Sequence, residues 1–224
     1  MHTPAPPLPR TGHRARSACA VCGAPCPAPF RAPAAELAPD LDGRPGEPAR
    51  STLPRWVATC RHCGAAAPDL AALPDGAADT VRSEAYKQTK GAFQRWALLC
   101  VRAGDREGAA KATLEAAWAL DDAGADAAAL RLEAAGLWGR GDPLRLIDVL
   151  RRARAFKRAA ELAGSLDELD EDAARIVAFQ QARIQARDAG RHMISSVLRP
   201  PARTPHATHG SVARQGFWAR LFGG

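Results

Sequence analysis

The chain has 224 residues, enough for one full core and a small module. Only 5% of them are aromatic and alanine dominates the apolar set, which predicts helices packed through small side chains and argues against a β-sandwich. The net charge of +7 sits at the ends: residues 1–56 carry 7 basic and 4 acidic side chains, 57–80 carry 1 and 3, 81–198 carry 19 and 17, and 199–224 carry 4 and 0. A groove-reading nucleic-acid face would concentrate charge on one folded element, so nucleic acid ranks second among partner classes.

No apolar h-region follows Met1 and no transmembrane-length apolar run occurs, so a cytoplasmic protein is expected. In a reducing compartment its six cysteines are read as metal ligands or buried thiols, not disulfides.

Residues 1–17 mix Pro, Arg and His without periodicity and are expected to be a disordered basic arm. The next segment, 18–78, carries the strongest signal. Cys19-Ala-Val-Cys22-Gly23 is echoed by Cys60-Arg-His-Cys63-Gly64. A two-residue gap lets both thiolates of each pair face one ion, and four thiolates make a closed tetrahedral shell. The prediction is one structural zinc ion on Cys19, Cys22, Cys60 and Cys63, in a ribbon whose knuckles sit at hairpin turns. The Gly after each second Cys permits the positive φ that aims backbone N–H groups at sulfur. A redox pair would instead come singly, near a βαβ pattern. Cys26 just past the first knuckle could compete as a ligand, and His62 lies inside the second; both read as rim residues of a shell that is already complete. Between the knuckles, residues 27–54 are rich in Pro, Ala and Arg and predict an ordered loop at best, followed by a β-like piece, Arg55–Thr59.

From about Asp79 the apolar period becomes helical. Helices are expected at 82–103, 105–123, 126–139, 143–153, 155–164 and 167–189, with the last begun by a capping box at Ser165–Glu168. Its buried stripe should be Leu169, Ala173, Ile176, Val177, Gln180 and Ile184. Gly104-Asp105, Gly124-Ala-Asp126 and Gly141-Asp-Pro143 punctuate the series, and the first and last of these bracket a helix pair of roughly tetratricopeptide-repeat size. Residues 79–198 therefore read as a degenerate helical repeat-like domain. Trp96, Trp118 and Trp138 read as core. Arg151, Arg152, Arg154, Lys157 and Arg158 form a basic cluster that is either a solvated face or a patch for an acidic partner.

No H-E-x-x-H, P-loop or G-x-S-x-G motif occurs, and the six His fall mostly in the arms, so no enzyme is expected. Residues 199–224 read as a disordered basic tail that ends in Phe217, Trp218, Leu221 and Phe222, spaced to form one face of a short helix.

These residues resemble an uncharacterised bacterial family, a domain of unknown function, that pairs an N-terminal four-cysteine zinc ribbon with tetratricopeptide-like helices. The resemblance is carried by the two knuckles, by the AFQRWALLCVRAGDREGAAKATLEAAWALDDAG stretch and by the LRRARAFKRAAELA and FQQARI stretches. It covers about four-fifths of the chain, and the long Pro-rich insert and Cys26 depart from it. The family has no established activity, so the resemblance implies an architecture. The combined expectation is a mainly α protein, a small zinc ribbon followed by a tetratricopeptide-like α-α array. It would act as a structural protein-interaction scaffold, with a nucleic-acid-associated ribbon using basic arms as the alternative.

Overall fold

A computed structural model describes residues 17–139 and 141–198. The protein is mainly α. Two short hairpins, β1 (Ser17–Ala18) with β2 (Pro25–Cys26) and β3 (Ala58–Thr59) with β4 (Ala66–Ala67), are each antiparallel and form separate two-stranded sheets. A 3₁₀ segment, Arg50–Arg55, leads into β3, so the extended piece expected from Arg55 is confined to two residues. Pro54 inside that segment suits a tight turn better than a strand, since it cannot donate to a ladder.

The helices follow as α1 (Ala77–Arg82), α2 (Glu84–Gln88), α3 (Ala92–Arg102), α4 (Arg106–Asp122), α5 (Ala128–Trp138), α6 (Pro143–Arg152), α7 (Phe156–Gly164) and α8 (Glu171–Gln185). The turns predicted at Gly104, Gly124 and Gly141 separate them as expected, with Asp105 accepting from the Gly108 N–H and Asp142 from Leu144 and Arg145. Two expectations fail. The helix drawn over 82–103 is broken, because Ser83 caps α2 and the chain then turns at Gly91 with φ +86° before α3 begins. The Ser165 capping box is not formed either. Glu168 takes a positive φ of 54°, and Asp170 becomes the cap, accepting from the Ala173 N–H. The stripe of α8 is otherwise as read, with Ile176, Val177, Gln180 and Ile184 buried.

Successive helices pack on one another from α3 to α8, and α6 also touches α8. Their common core holds Phe93, Leu114, Trp118, Ile147, Leu150 and Val177. Leu53 and Val57, which flank the second knuckle on its N-terminal side, enter the same core, and Trp56 meets Trp118 edge-on with ring centroids 6.5 Å apart. A second core lies under the knuckles, where Cys19, Cys60, Leu70 and Val81 pack with Tyr86 of α2 and Leu99 of α3.

The Pro-rich insert is docked, and by charge more than by apolar area. Its turn at Asp40–Arg44 closes through Asp40 N–H to Arg44 C=O at 2.8 Å and Gly43 N–H to Asp40 C=O at 2.9 Å. Gly43 has φ +83°, and a Cβ there would stand 2.5 Å from Nε of Arg145, so only glycine lets the turn approach α6. Asp42, fully buried, receives Arg152, Nε1–H of Trp118 at 2.9 Å and, from 3.9 Å, Arg131. Arg44 crosses in the opposite sense to Asp122 at 2.6 Å. Leu41 N–H bonds to His192 C=O and packs with Ile176, Ile194 and Leu198, so the insert also holds the far end of the described chain. Ser17, expected to close the disordered arm, instead opens β1 opposite Cys26; the rest of that arm, 1–16, and the tail with its apolar motif at 217–222 lie outside the described residues.

Candidate metal centre

Each knuckle is built the same way. In the first, Cys19 N–H bonds to Ala24 C=O at 2.9 Å and Gly23 N–H returns to Cys19 C=O at 2.8 Å; in the second, Cys60 N–H bonds to Ala65 C=O at 2.7 Å and Gly64 N–H to Cys60 C=O at 2.9 Å. Both closing glycines are left-handed, with φ of 70° and 76°. A Cβ would be strained there, which is why the motif needs Gly after its second Cys.

The four sulfurs converge from the two hairpins. All of them lie within 4.8 Å of one another, with Sγ of Cys19 3.8 Å from Cys63 and Sγ of Cys22 3.7 Å from Cys60. A tetrahedral ion with bonds of about 2.3 Å to sulfur has edges of about 3.8 Å. The spacing therefore fits one ion and is far too long for a disulfide, and all six thiols are free. Cys19 and Cys60 are buried while Cys22 is exposed and Cys63 half-buried, so the cluster lies at the protein rim.

Its electrostatics suit a cation. At Cys60 burial opposes ionisation, but backbone N–H groups of Cys63 and His62, with the Cys63 and Cys22 thiols, outweigh it and bring the thiol down to about 6. At Cys63 burial and the neighbouring thiols push it up to about 12 against one N–H from Ala65. One thiolate is thus favoured and further negative charge is resisted. A divalent ion reverses that resistance, since all four ligands must be deprotonated to bind it.

Cys26 is buried beside the cluster but is not one of the four converging thiols, and burial raises its pKa. His62 is exposed. Cys100 is a buried thiol raised to about 12 by desolvation, as a small core residue should be. Trp118 is core and Trp96 and Trp138 pack against it. The basic cluster divides in two. Arg151 is fully buried, bonding Asp148 at 2.5 Å and Gln180 at 2.9 Å, and Arg152, half-buried as a residue, has its side chain covered against Asp42 and Asp121, whereas Arg154 and Lys157 are exposed. Its first two members are therefore neither a solvated face nor a patch for a partner.

Tyr86 is the contributor that sequence reading missed. The Ala66 N–H donates to its hydroxyl at 2.8 Å, and that hydroxyl donates to Gly64 C=O at 3.3 Å, so it clamps the second knuckle to α2. It is the chain's sole tyrosine, a compositional signal with no local pattern around it. Among the described residues no helix is long and apolar enough to cross a membrane. No protein-family model, curated protein or solved structure matches the chain.

Proposed function

We propose that the protein is a zinc-stapled, non-catalytic interaction scaffold, in which Cys19, Cys22, Cys60 and Cys63 hold one structural zinc and the helices offer a stacked, tetratricopeptide-like surface to a protein partner. The observation that carries the metal is the pair of sulfur separations, 3.7 and 3.8 Å, at the tetrahedral edge. A closed shell of four thiolates keeps no position for water or substrate, which favours a structural role. When bound, zinc supplies cross-linking of two hairpins too small to hold themselves. Protein is preferred as partner because residues 1–16 and 199–224 together carry seven arginines and no acidic residue, which accounts for the whole net charge of +7 and leaves the rest of the chain neutral.

Elemental analysis of the purified full chain tests the metal: one zinc per chain is expected, with loss on Cys60→Ser. Stoichiometric iron would replace zinc in this reading, because a four-thiolate tetrahedron suits both. No stoichiometric metal in protein made with both supplied would end it. The same seven arginines favour a second reading, nucleic-acid association through the ends. If it holds, changing all seven to Gln abolishes RNA and DNA binding by the full chain.

A further inference from the structure

Two cavities adjoin along the outer side of the hairpins. One, of about 1200 Å³, runs over Pro25, Cys26, Pro27, Phe30 and Ala58; the other, of about 450 Å³, continues past Ala58 and Thr59 to the second knuckle. They share Pro25, Cys26, Pro27 and Ala58, so they form one groove. Its charge is one-sided. Arg31 and Arg55 line the first part and Arg61 and His62 the second, and among the described residues no Asp or Glu lines either. In a chain with 24 acidic residues that is a selective arrangement. Among the described residues none of these three arginines makes an ion pair. Arg55 instead stacks over Phe30, its guanidinium 4.0 Å from the ring centroid, which holds that charge at the groove wall. The nearby carboxylate, Asp69, is engaged in its own turn, accepting from the Ala71 N–H at 2.9 Å.

We propose that this groove docks an acidic peptide segment of a partner protein, its carboxylates on Arg31, Arg55 and Arg61 and its apolar side chains on the proline and alanine floor. The proposal rests on the scaffold reading and names the partner's chemistry and its seat. Charge selects the occupant. An acidic segment is preferred over the chain's own ends as occupant, since the sequences of residues 1–16 and 199–224 carry arginines and no acid. Nucleic acid is disfavoured because three arginines neutralise few phosphates, the Phe30 face is already covered by Arg55, and the floor is apolar. An acidic peptide with an aliphatic residue or two satisfies both the rim and the floor.

The test pans a phage-displayed library of random 12-residue peptides on the full chain and on Arg31→Glu/Arg61→Glu. Both side chains are exposed and make no ion pair among the described residues, so the fold should be unchanged, and matching thermal melts are the check. Enrichment of sequences with several Asp or Glu around an apolar residue is expected. The synthetic consensus peptide should bind at least tenfold more weakly to the charge-reversed protein and by an intermediate factor to Arg31→Gln/Arg61→Gln. A consensus without acidic residues, or equal binding to both proteins, overturns the proposal. So does a 12-nucleotide RNA that displaces the peptide at lower concentration, or a concentration-dependent dimer lost on charge reversal, which would give the groove to the exposed acidic stretch Asp167–Asp172 of a second copy. Proteins captured from lysate equally by both forms would overturn the groove while leaving the scaffold reading standing; a full chain that captures none would remove the scaffold reading itself.

Discussion

The knuckle cluster and the Asp42 cluster solve one problem in opposite ways. Each fixes a segment with too few large apolar residues to bury itself, and each does so by gathering charge. At the knuckles the groups are four thiols of one kind, which resist shared ionisation and could be balanced by a cation from outside. Around Asp42 the counter-ions are built in: burial works against the carboxylate, yet Arg152, Arg131 and the Trp118 N–H hold its pKa below the ordinary value. The first site should respond to metal supply, the second only to mutation. A buried pair of the second kind contributes little net stability over an apolar equivalent, yet removing one partner is costly. Its distinct effect is register: Asp42 meets Arg152 across 110 residues and so sets where the insert lies on α4–α6.

Metal removal should produce the largest effect and split the two regions. Structural zinc in small domains contributes on the order of 10 kcal/mol of binding free energy, which on the proposed reading would be coupled here to ordering the hairpins. With chelator present, hydrogen exchange should accelerate across residues 17–26 and 58–102, because Tyr86 of α2 and Leu99 of α3 share the knuckle core, while α4–α8 keep their protection. Uniform loss of protection over all helices would show that the two cores do not behave separately.

Asp42→Ala should come next and act in the opposite region. It leaves Arg131 and Arg152 to share Asp121 as their remaining carboxylate and the Trp118 N–H without its acceptor, at a cost of about 3 kcal/mol. Denaturant midpoints should fall accordingly and the insert near Gly43 should become protease-sensitive, with zinc content unchanged. An effect under about 1 kcal/mol, the range of exposed pairs, would contradict the burial of this cluster.

A pH scan sharpens the contrast inside the helical core. Glu115 on α4 is 6% exposed, and desolvation, only partly offset by Lys111, raises its pKa to about 7 from 4.5. Its folded pKa lies above the unfolded one, so the folded state binds the extra proton. Stability should fall as pH rises from about 4.5 to 7 and stay level above that, by roughly 3 kcal/mol at most. Glu115→Gln should flatten that slope and be the more stable protein above pH 7. A slope unchanged by the substitution assigns it to another group.

What could be read from sequence follows the range of the interactions involved. Cys19, Cys22, Cys60 and Cys63 were legible because a knuckle is specified within six residues, by spacing and by Gly23 or Gly64. The order of helices was legible from apolar period and from Asp105 and Asp142 as caps. The break at Gly91 was not, because Phe93 and Trp96 continue the period across it. The docking of the insert was invisible because Asp42 has an ordinary loop context and its partners are distant. Arg151 and Arg152 resembled surface charge because Asp148, one helical turn before Arg151, reads as an ordinary exposed i,i+3 pair, while Gln180 and Asp42 are distant in sequence.

The smallest predicted effect tests the joint between the regions. Tyr86→Phe keeps the ring in the knuckle core but deletes the hydroxyl that receives Ala66 N–H and donates to Gly64 C=O. The Ala66 N–H is then left buried and unpaired, at about 1–3 kcal/mol. Because Gly64 follows Cys63 directly, most of that loss should be felt as looser positioning of the second knuckle. Outer partners of metal ligands typically alter affinity by about 10–100-fold, and a shift toward the lower end is expected in competition with a zinc chelator. The denaturant midpoint of the metal-free protein should hardly change, since without the ion the second knuckle is already loosened in both proteins. If Tyr86→Phe instead lowers stability equally with and without metal, the hydroxyl serves the helical core, and the knuckles are less tied to α2 than their hydrogen bonds imply.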